Sequence, residues 1–387
     1  MKILWLASWY PNKYEPVNGD FIQRHAKALA ALMPVEVLHI VQLGKDAQTH
    51  NAIEEHKENN LTEYICYFNF KKWGIGFIDK IRYNLCYSKK AMQFVKNYFT
   101  THGKPDLIHV HVPMKAGWVS LKIKRQYNIP YIVSEQASYY DDEAPDTFKN
   151  RSWFFKSNTK KVCKNAFSVS NVSSVIARKM EYLLGIKNIY TIHNIADTNY
   201  FFYQPLQQEK TFTWLHVSTL SEQKNITGLI LAFDKLIKEK KQNCNLILVG
   251  HHKHLHQPLV KELQLEEHIS FTGEVPHANV SSYMQNAHAF VLFSKHENFP
   301  CVLVEALCCG LPVASSNVGG IADAINESNG LLVNSNDINA LTEAMNNIMS
   351  NYNNYSRPTI AEQAKLKYDN SVIAHQFMDL YNKCLAK

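Results

Sequence analysis

Glu297 and Glu305 are the residues of this sequence best placed to do chemistry. The run Ala289–Pro312 reads as strand, loop, helix and stop. Pro300 suits the first helical turn, where its missing N–H costs nothing. Gly310 suits the residue just past the helix end, with Pro312 following. Between them Glu305 is the one charged residue, so the helix is apolar on every face and must be buried. A carboxylate on such a helix must find donors. The N–H groups of Cys301 and Val302 point out of the helix start and, with its dipole, make an anion site suited to phosphate. Glu297, Asn298 and Phe299 lie in the loop just before. Carboxylates repel phosphate and pair with hydroxyl groups through charge-assisted hydrogen bonds. A ligand with a diphosphate between two hydroxyl-rich rings, such as a nucleotide-sugar, satisfies both demands. The plain alternative is a Glu305 paired with a core Lys or Arg and a Glu297 that is merely a solvated loop residue.

Other candidates sit at strand ends. Strand Phe212–Val217 leads into Ser218–Asn225, where Asn225 can cap the next helix. Lys224 then lies at the strand's carboxyl edge, where one ammonium can neutralise a diphosphate and the charge that builds as it leaves. A surface lysine is the alternative. Near the start, Ser8–Asn12 and Asn18-Gly19-Asp20 join a strand to an amphipathic helix. One useful glycine without a full G-x-G-x-x-G is a weak nucleotide signal, and Asp20 can serve simply as a cap. His109 and His111 alternate at a strand end, with His109 the deeper of the two. Glu135 follows strand Tyr131–Ser134 at a carboxyl edge and is a candidate acceptor contact. The tract His251–His256 has no evident carboxylate or Cys partner, so accidental metal affinity fits it better than a built site.

The elements that must position these residues alternate from end to end. In the first half, strands are expected at Lys2–Ala7, Val35–Ile40, Glu63–Phe68, Leu107–His111, Tyr131–Ser134 and Phe167–Ser170. Helices are expected at Asp20–Leu32, Ile75–Phe99, Met114–Gln126 and Trp153–Lys164. In the second half, strands are expected at Phe212–Val217, Asn245–Val249, Ile269–Phe271, Ala289–Phe293, Val313–Ser316 and Leu331–Val333. This is an α/β pattern of βαβ units with mainly parallel sheets. The polar segment Asn194–Lys210 divides two Rossmann-like domains, 1–193 and 194–369. A helix over 370–387 is expected to pack back on the first, and a cleft to lie between the two.

Composition agrees. The 387 residues are 46% hydrophobic and 19% charged, which excludes disordered, collagen-like and coiled-coil classes. No stretch approaches the ~18 apolar residues of a membrane span. The apolar start, Met1–Trp9, is ended by Pro11 too soon for a signal peptide and reads as a buried strand. Eight cysteines without a C-x-x-C pair point to a reduced, cytoplasmic setting. Residues 1–200 carry 27 Lys and Arg against 17 Asp and Glu, the rest 14 against 17. A basic first half suits an anionic substrate, nucleic acid or lipid surface; composition drift is the alternative. Seven of its bases, Lys71, Lys72, Lys80, Arg82, Lys89, Lys90 and Lys96, interleave with Trp73, Phe77, Tyr83, Tyr87 and Phe94. Such a helix can lie on an anionic membrane, or pack on the sheet with a solvated basic face.

The segment from Glu297 to Val313 resembles the E-x7-E signature of the retaining glycosyltransferases of family 4, which have the GT-B fold. The match extends to Asn317-Val318-Gly319-Gly320-Ile321, and upstream to Val249-Gly250 and Phe271-Thr272-Gly273. The resemblance implies that Glu305 holds the nucleotide ribose and Glu297 the hydroxyls of the donor sugar. It places Gly273 and Val275 near the base, Gly19 in a loop beside the donor phosphate, and His111 against the donor sugar. Lys224 matches the family's Lys, whereas Thr219 stands where the family has Arg. Compensation is then expected from the helix start at Pro300 or from a base of the first domain. The implied reaction moves a sugar from a UDP- or GDP-linked donor to a hydroxyl on a glycan or lipid-linked acceptor. It proceeds by a front-face route without a metal or other cofactor. From the basic first half, peripheral contact of a cytoplasmic protein with the inner face of the membrane is expected, and nucleic acid is not an expected partner. Three other readings stay open. Thr219 leaves room for a non-catalytic nucleotide-sugar-binding subunit, and a GT-B epimerase or hydrolase is another. A nicotinamide oxidoreductase is disfavoured by the missing glycine fingerprint.

Overall fold

The computed structural model describes residues 1–43, 52–142, 144, 146–206 and 211–386. The expected divider Asn194–Lys210 thus runs partly outside the described residues, as do the side chain of Phe77 and Lys387.

The first half contains β1 (Ile3–Ala7), α1 (Asp20–Ala30), β2 (Val35–Gln42), β3 (Ala52–Glu58), β4 (Leu61–Phe68), α2 (Gly76–His102), β5 (Leu107–His111), α3 (Ala116–Tyr127), β6 (Tyr131–Glu135), α4 (Trp153–Asn165), β7 (Val169–Asn171), α5 (Ser174–Leu184) and β8 (Tyr190–Thr191). Its strands form one sheet in the order β3-β4-β2-β1-β5-β6-β7-β8. All neighbours are parallel except the β3–β4 hairpin. Along β1, Leu4 and Leu6 face a core built with α2, α3, α4 and α5. Ile3, Trp5 and Ala7 face the other, built with α1 and residues from the far end of the chain. Both faces of the sheet are covered, which is why β1 is apolar without alternation.

The second half contains β9 (Phe212–Val217), α6 (Ile226–Lys238), β10 (Cys244–Val249), α7 (Gln257–Glu262), β11 (Ile269–Gly273), α8 (His277–Asn286), β12 (Ala289–Leu292), α9 (Cys301–Cys308), β13 (Val313–Ser316), β14 (Gly330–Val333), α10 (Ile338–Ser350) and α11 (Arg357–Tyr368). Its parallel sheet runs β11-β10-β9-β12-β13-β14, with α8, α9 and α11 against one face and α6, α7 and α10 against the other. The last helix, α12 (Asn370–Leu385), crosses back and buries Ile373, Phe377 and Tyr381 against the first sheet. At the crossing, the Ala196 N–H donates to the Tyr368 carbonyl at 2.9 Å.

In both sheets strand order reverses at one point, between β1 and β5 and between β9 and β12. Loops leaving the carboxyl ends of strands at such points diverge and leave a crevice. The Ser8–Gly19, Ser218–Asn225 and Phe293–Pro300 segments all leave such strands.

Candidate functional site

The loop between β12 and α9 is set by its ends. All four residues of β12 are buried in the centre of the sheet. Helix α9 is buried from Leu303 to Cys308. Pro300 precedes the helix as its cap, with φ −71° and ψ 128°, rather than opening its first turn. The outcome for the backbone is the same: the Cys301 and Val302 N–H groups begin the helix with no intrahelical acceptor. Gly319 and Gly320 press on the loop from behind. A Cβ on Gly319, whose φ is +56°, would lie 2.0 Å from the Glu297 carbonyl oxygen. Gly320 donates its N–H to the Asn298 carbonyl at 2.7 Å.

Both carboxylates are buried and paired with cations. Glu297 is 6% exposed. Its Oε1 accepts from the Ser294 hydroxyl at 2.7 Å and from the Lys224 ammonium. It is therefore no solvated loop residue, and Lys224 is no surface lysine. Glu305 is 1% exposed. Its Oε1 accepts from Arg24 Nη1 and His277 Nε2, each at 2.7 Å, while its Oε2 is buried without a partner among the described residues. Arg24 also donates to Asp20 at 2.6 Å. The alternative of a cation-paired Glu305 is thus realised, but the cation comes from α1, across the interdomain gap, and not from its own core.

Beside that pair a cleft of about 280 Å³ opens between the domains. Trp9, Phe21, Gln136 and Val172 line it from the first domain, and Gln223, Glu297, Asn298, Phe299, Pro300 and Cys301 from the second. Val302 is half-buried one residue further. Asn298 reaches across to the Ala137 carbonyl at 3.4 Å, and its Oδ1 is buried without a partner among the described residues. Phe299 stacks on His193, ring centroids 4.6 Å apart. Burial pushes the Cys301 thiol up to about 12, so it is an uncharged wall. Gly19 caps α1 at φ +74°; a Cβ there would meet the Trp9 carbonyl carbon at 2.7 Å, so only glycine lets the helix start this close under Trp9. Gly273 ends β11 with open space on its Cβ side, and Val275 packs at the edge of the second core. Thr219 is exposed.

Two candidates from the first domain are placed differently from expectation. His111 is wholly buried, its ring against Trp5 and His109, both at 4.1 Å. The polar neighbour of the ring is the Gln136 side chain. Burial, and then the neighbouring His109 and His25, hold its pKa far below that of free imidazole. His111 does not line the cleft, whereas Gln136 does. His109 is satisfied by Tyr381 at 2.7 Å and Ser134 at 2.8 Å. Glu135 is a correction. Its carboxylate is fully buried and accepts from Gln136 N–H, Ala137 N–H, Tyr139 and Tyr140 at 2.6–3.0 Å. Burial raises its pKa, and the four donors oppose that rise. It organises the turn after β6 and is not free to meet an acceptor.

Two family models match the chain in tandem: Glycosyltransferase Family 4 over residues 21–200 and Glycosyl transferases group 1 over residues 199–366. The chain belongs to glycosyltransferase family 4. This family 4 glycosyltransferase is 25% identical over 367 residues to a putative teichuronic acid biosynthesis glycosyltransferase of Bacillus subtilis, covering 89% of this chain and 88% of that protein. It is 26% identical over 373 residues to an uncharacterized glycosyltransferase of Methanocaldococcus jannaschii, covering 94% and 92%. In fold it is similar to sucrose-phosphate synthase from Thermosynechococcus elongatus, with a TM-score of 0.75, 21% identity and full coverage of both chains. It is also similar to Anabaena HepE, solved in complex with UDP, with a TM-score of 0.74, 18% identity and coverage of 99% and 100%. Its two facing sheets are the GT-B fold.

Sequence reasoning about this family 4 enzyme missed Arg24 and His277. Arg24 looks like the second half of an i,i+4 surface pair with Asp20. The only hint was that buried Glu305 required donors. The histidine tract does not converge: His256 turns inward to the Leu220 carbonyl at 2.9 Å, while His251 faces Glu274 on the surface. Among the described residues no three His, Cys, Asp or Glu side chains group as a metal site.

Proposed function

We propose that this glycosyltransferase is a retaining hexosyltransferase that uses a UDP- or GDP-linked donor, needs no metal, and acts in polysaccharide or lipid-linked glycan synthesis. One observation carries the reading: Glu297, bonded to Lys224, and Glu305, bonded to Arg24, flank a helix start with free N–H groups at the interdomain gap. The Cys301 and Val302 N–H groups and Lys224 bind the diphosphate. Glu297 takes hydroxyls of the donor sugar. The ribose diol binds Glu305 and takes the place of Arg24. Arg24, released from Glu305 beside Cys301, then faces the diphosphate and supplies the second cation that Thr219 does not. In the reaction the bond from anomeric carbon to phosphate oxygen breaks as the bond to the acceptor oxygen forms on the same face. The acceptor proton passes to the leaving phosphate. Positioning and fixed charge lower the barrier.

The exposed side of α2 supports contact with an anionic membrane at the cytoplasmic face. Tyr87, Val95 and Tyr98 pack on the sheet, while Trp73, Ile78, Ile81 and Leu85 are exposed beside the lysines. Arg82 lies 3.4 Å over the Trp73 ring. Among the described residues no helix is long and apolar enough to cross a membrane. The protein is expected to sediment with anionic and not with neutral vesicles at low salt; equal behaviour with both removes the contact.

The test of the reaction is a nucleotide panel. UDP or GDP is expected to raise the melting temperature, by about 2.7 kcal/mol of stability at ~100 times the dissociation constant, while NAD does not. With the matching nucleotide-hexose and acceptor, nucleotide release without added metal and a product of unchanged anomeric configuration support the reading. Inversion, or binding without turnover, contradicts it.

A further inference from the structure

A second hollow, of about 710 Å³, opens in the first domain at the carboxyl ends of β1 and β2. Trp9 is a wall of both this hollow and the interdomain cleft, so ligands in the two spaces would lie side by side. Trp9, Tyr14 and Tyr83 give the hollow aromatic faces. Such faces pack against the apolar C–H faces of a sugar ring.

Its polar groups are set for hydroxyls and one anion. His39 is bonded through Nδ1 to the Ala7 carbonyl at 2.9 Å. A carbonyl only accepts, so Nδ1 carries the proton and Nε2 of the neutral ring is left as an acceptor. Burial pulls its pKa down to about 4. Glu15, held by the Asn18 amide at 2.9 Å, is a second acceptor. Lys115 is the one cation in the lining. It is half-buried, and its ammonium lies over the Tyr83 and Tyr87 rings at 5.1 and 6.0 Å. No carboxylate of a described residue pairs with it.

The placement of Lys115 is built, not incidental. Its backbone has φ +63° and ψ −75°, and Val112 in the same loop has φ +64°. Non-glycine residues hold such conformations only where their surroundings impose them. Here the chain makes a γ-turn, closed by the Ala116 N–H donating to the Met114 carbonyl at 2.8 Å, and the turn is braced by the Ser8 hydroxyl just after β1. That hydroxyl lies against the carbonyls of Val112, at 2.9 Å, and Met114, and accepts from the Ala116 N–H at 3.3 Å.

We propose that this hollow holds the terminal sugar of the acceptor and that Lys115 selects an acceptor bearing an anion there, a uronate carboxylate or a phosphate. The inference rests on the donor reading above and names the acceptor class for the same reaction. Tyr83 and Trp9 stack the ring, His39 and Glu15 take hydroxyl protons, and Lys115 takes the negative group.

The experiment is a titration of the full chain, saturated with UDP or GDP, with methyl glucuronide, glucose 6-phosphate, neutral methyl glucoside and inorganic phosphate. Wild type is expected to bind at least one of the two anionic sugars about tenfold more tightly than methyl glucoside. The better of the two identifies the anion. Lys115→Met is expected to remove the preference and Lys115→Arg to keep it. Equal binding of charged and neutral sugars, a preference that survives Lys115→Met, or inorganic phosphate binding as tightly as the sugars would overturn the proposal. The nucleotide-induced melting shift is read on every variant. If it is intact, a failure belongs to this proposal; if wild type lacks it, the donor reading has failed instead.

Discussion

The two carboxylates of the cleft are both buried and both cation-paired, yet they differ in where the cation comes from. Glu297 is neutralised by Lys224 of its own domain. Glu305 is neutralised by Arg24 of the opposite domain. The first pair survives any movement of the domains as rigid bodies, whereas the second breaks when they part. A ligand that competes for Glu305 therefore acts on domain contact as well as on affinity, and one that meets Glu297 does not. The same carboxylate that is proposed to bind the ribose thus also ties the two domains together across the cleft.

Perturbing each pair sharpens that contrast. The largest effect is expected from Lys224→Ala, which removes the cation of the diphosphate and strands Glu297. Turnover should fall by about 10²–10³, measured as nucleotide release from the nucleotide-hexose. Stability should fall by ~3–5 kcal/mol, since a buried charge loses its partner, and the double variant with Glu297→Gln should recover part of it in denaturant titration. Wild-type turnover in Lys224→Ala would remove this residue from the mechanism.

Arg24→Leu comes next and should split two ligands. With the competitor for Glu305 gone, the nucleoside alone should bind several-fold more tightly, while the diphosphate, having lost a cation, binds about tenfold more weakly. Calorimetry with uridine and UDP, or guanosine and GDP, reads both. A parallel change of the two ligands would contradict the exchange of partners.

A smaller effect separates the domains in acid. His25 and His39 of the first domain are buried, and burial pulls each from its ordinary 6.5 down to about 4; in the second domain His216 is held down to about 4 in the same way. His109 and His111, also in the first domain, are likewise held well below the ordinary value by burial. A group whose folded pKa is lowered binds more protons when unfolded. Stability is then full above pH 6.5 and declines as pH falls from 6.5 towards 4. The first domain carries more such groups and should lose its structure first, seen as earlier loss of amide-exchange protection in β1 and β5 than in β9 and β12. The reverse order would show that these rings do not govern acid stability.

The site was most legible where its determinants are local. The strands Phe212–Val217 and Val313–Ser316 end where apolar patterning places them. The β12–α9 turn is announced by Pro300, Gly310 and the single charge between them. The antiparallel edge strand Ala52–Glu58 was not legible, because five of its seven residues are exposed and an edge strand with both faces wet carries no alternation. Helix α5 also went unread, although Ser173 caps it and Gly185 ends it. Arg24 could not be read as a site residue, since the pairing joins positions 281 apart and its nearer partner Asp20 explains it locally. Glu135 misled for the opposite reason. Its place at a strand end is a site position, but Tyr139 and Tyr140, four and five residues on, fold back and use its oxygens.

The claim that Glu305 grips the ribose is tested most directly by calorimetric titration of wild type and Glu305→Gln with the nucleoside diphosphate and its 2′,3′-dideoxy analogue. Wild type should prefer the natural nucleotide by about tenfold or more, and Glu305→Gln should bind the two nearly alike. A preference that is undiminished in Glu305→Gln, or absent from wild type, would contradict the account.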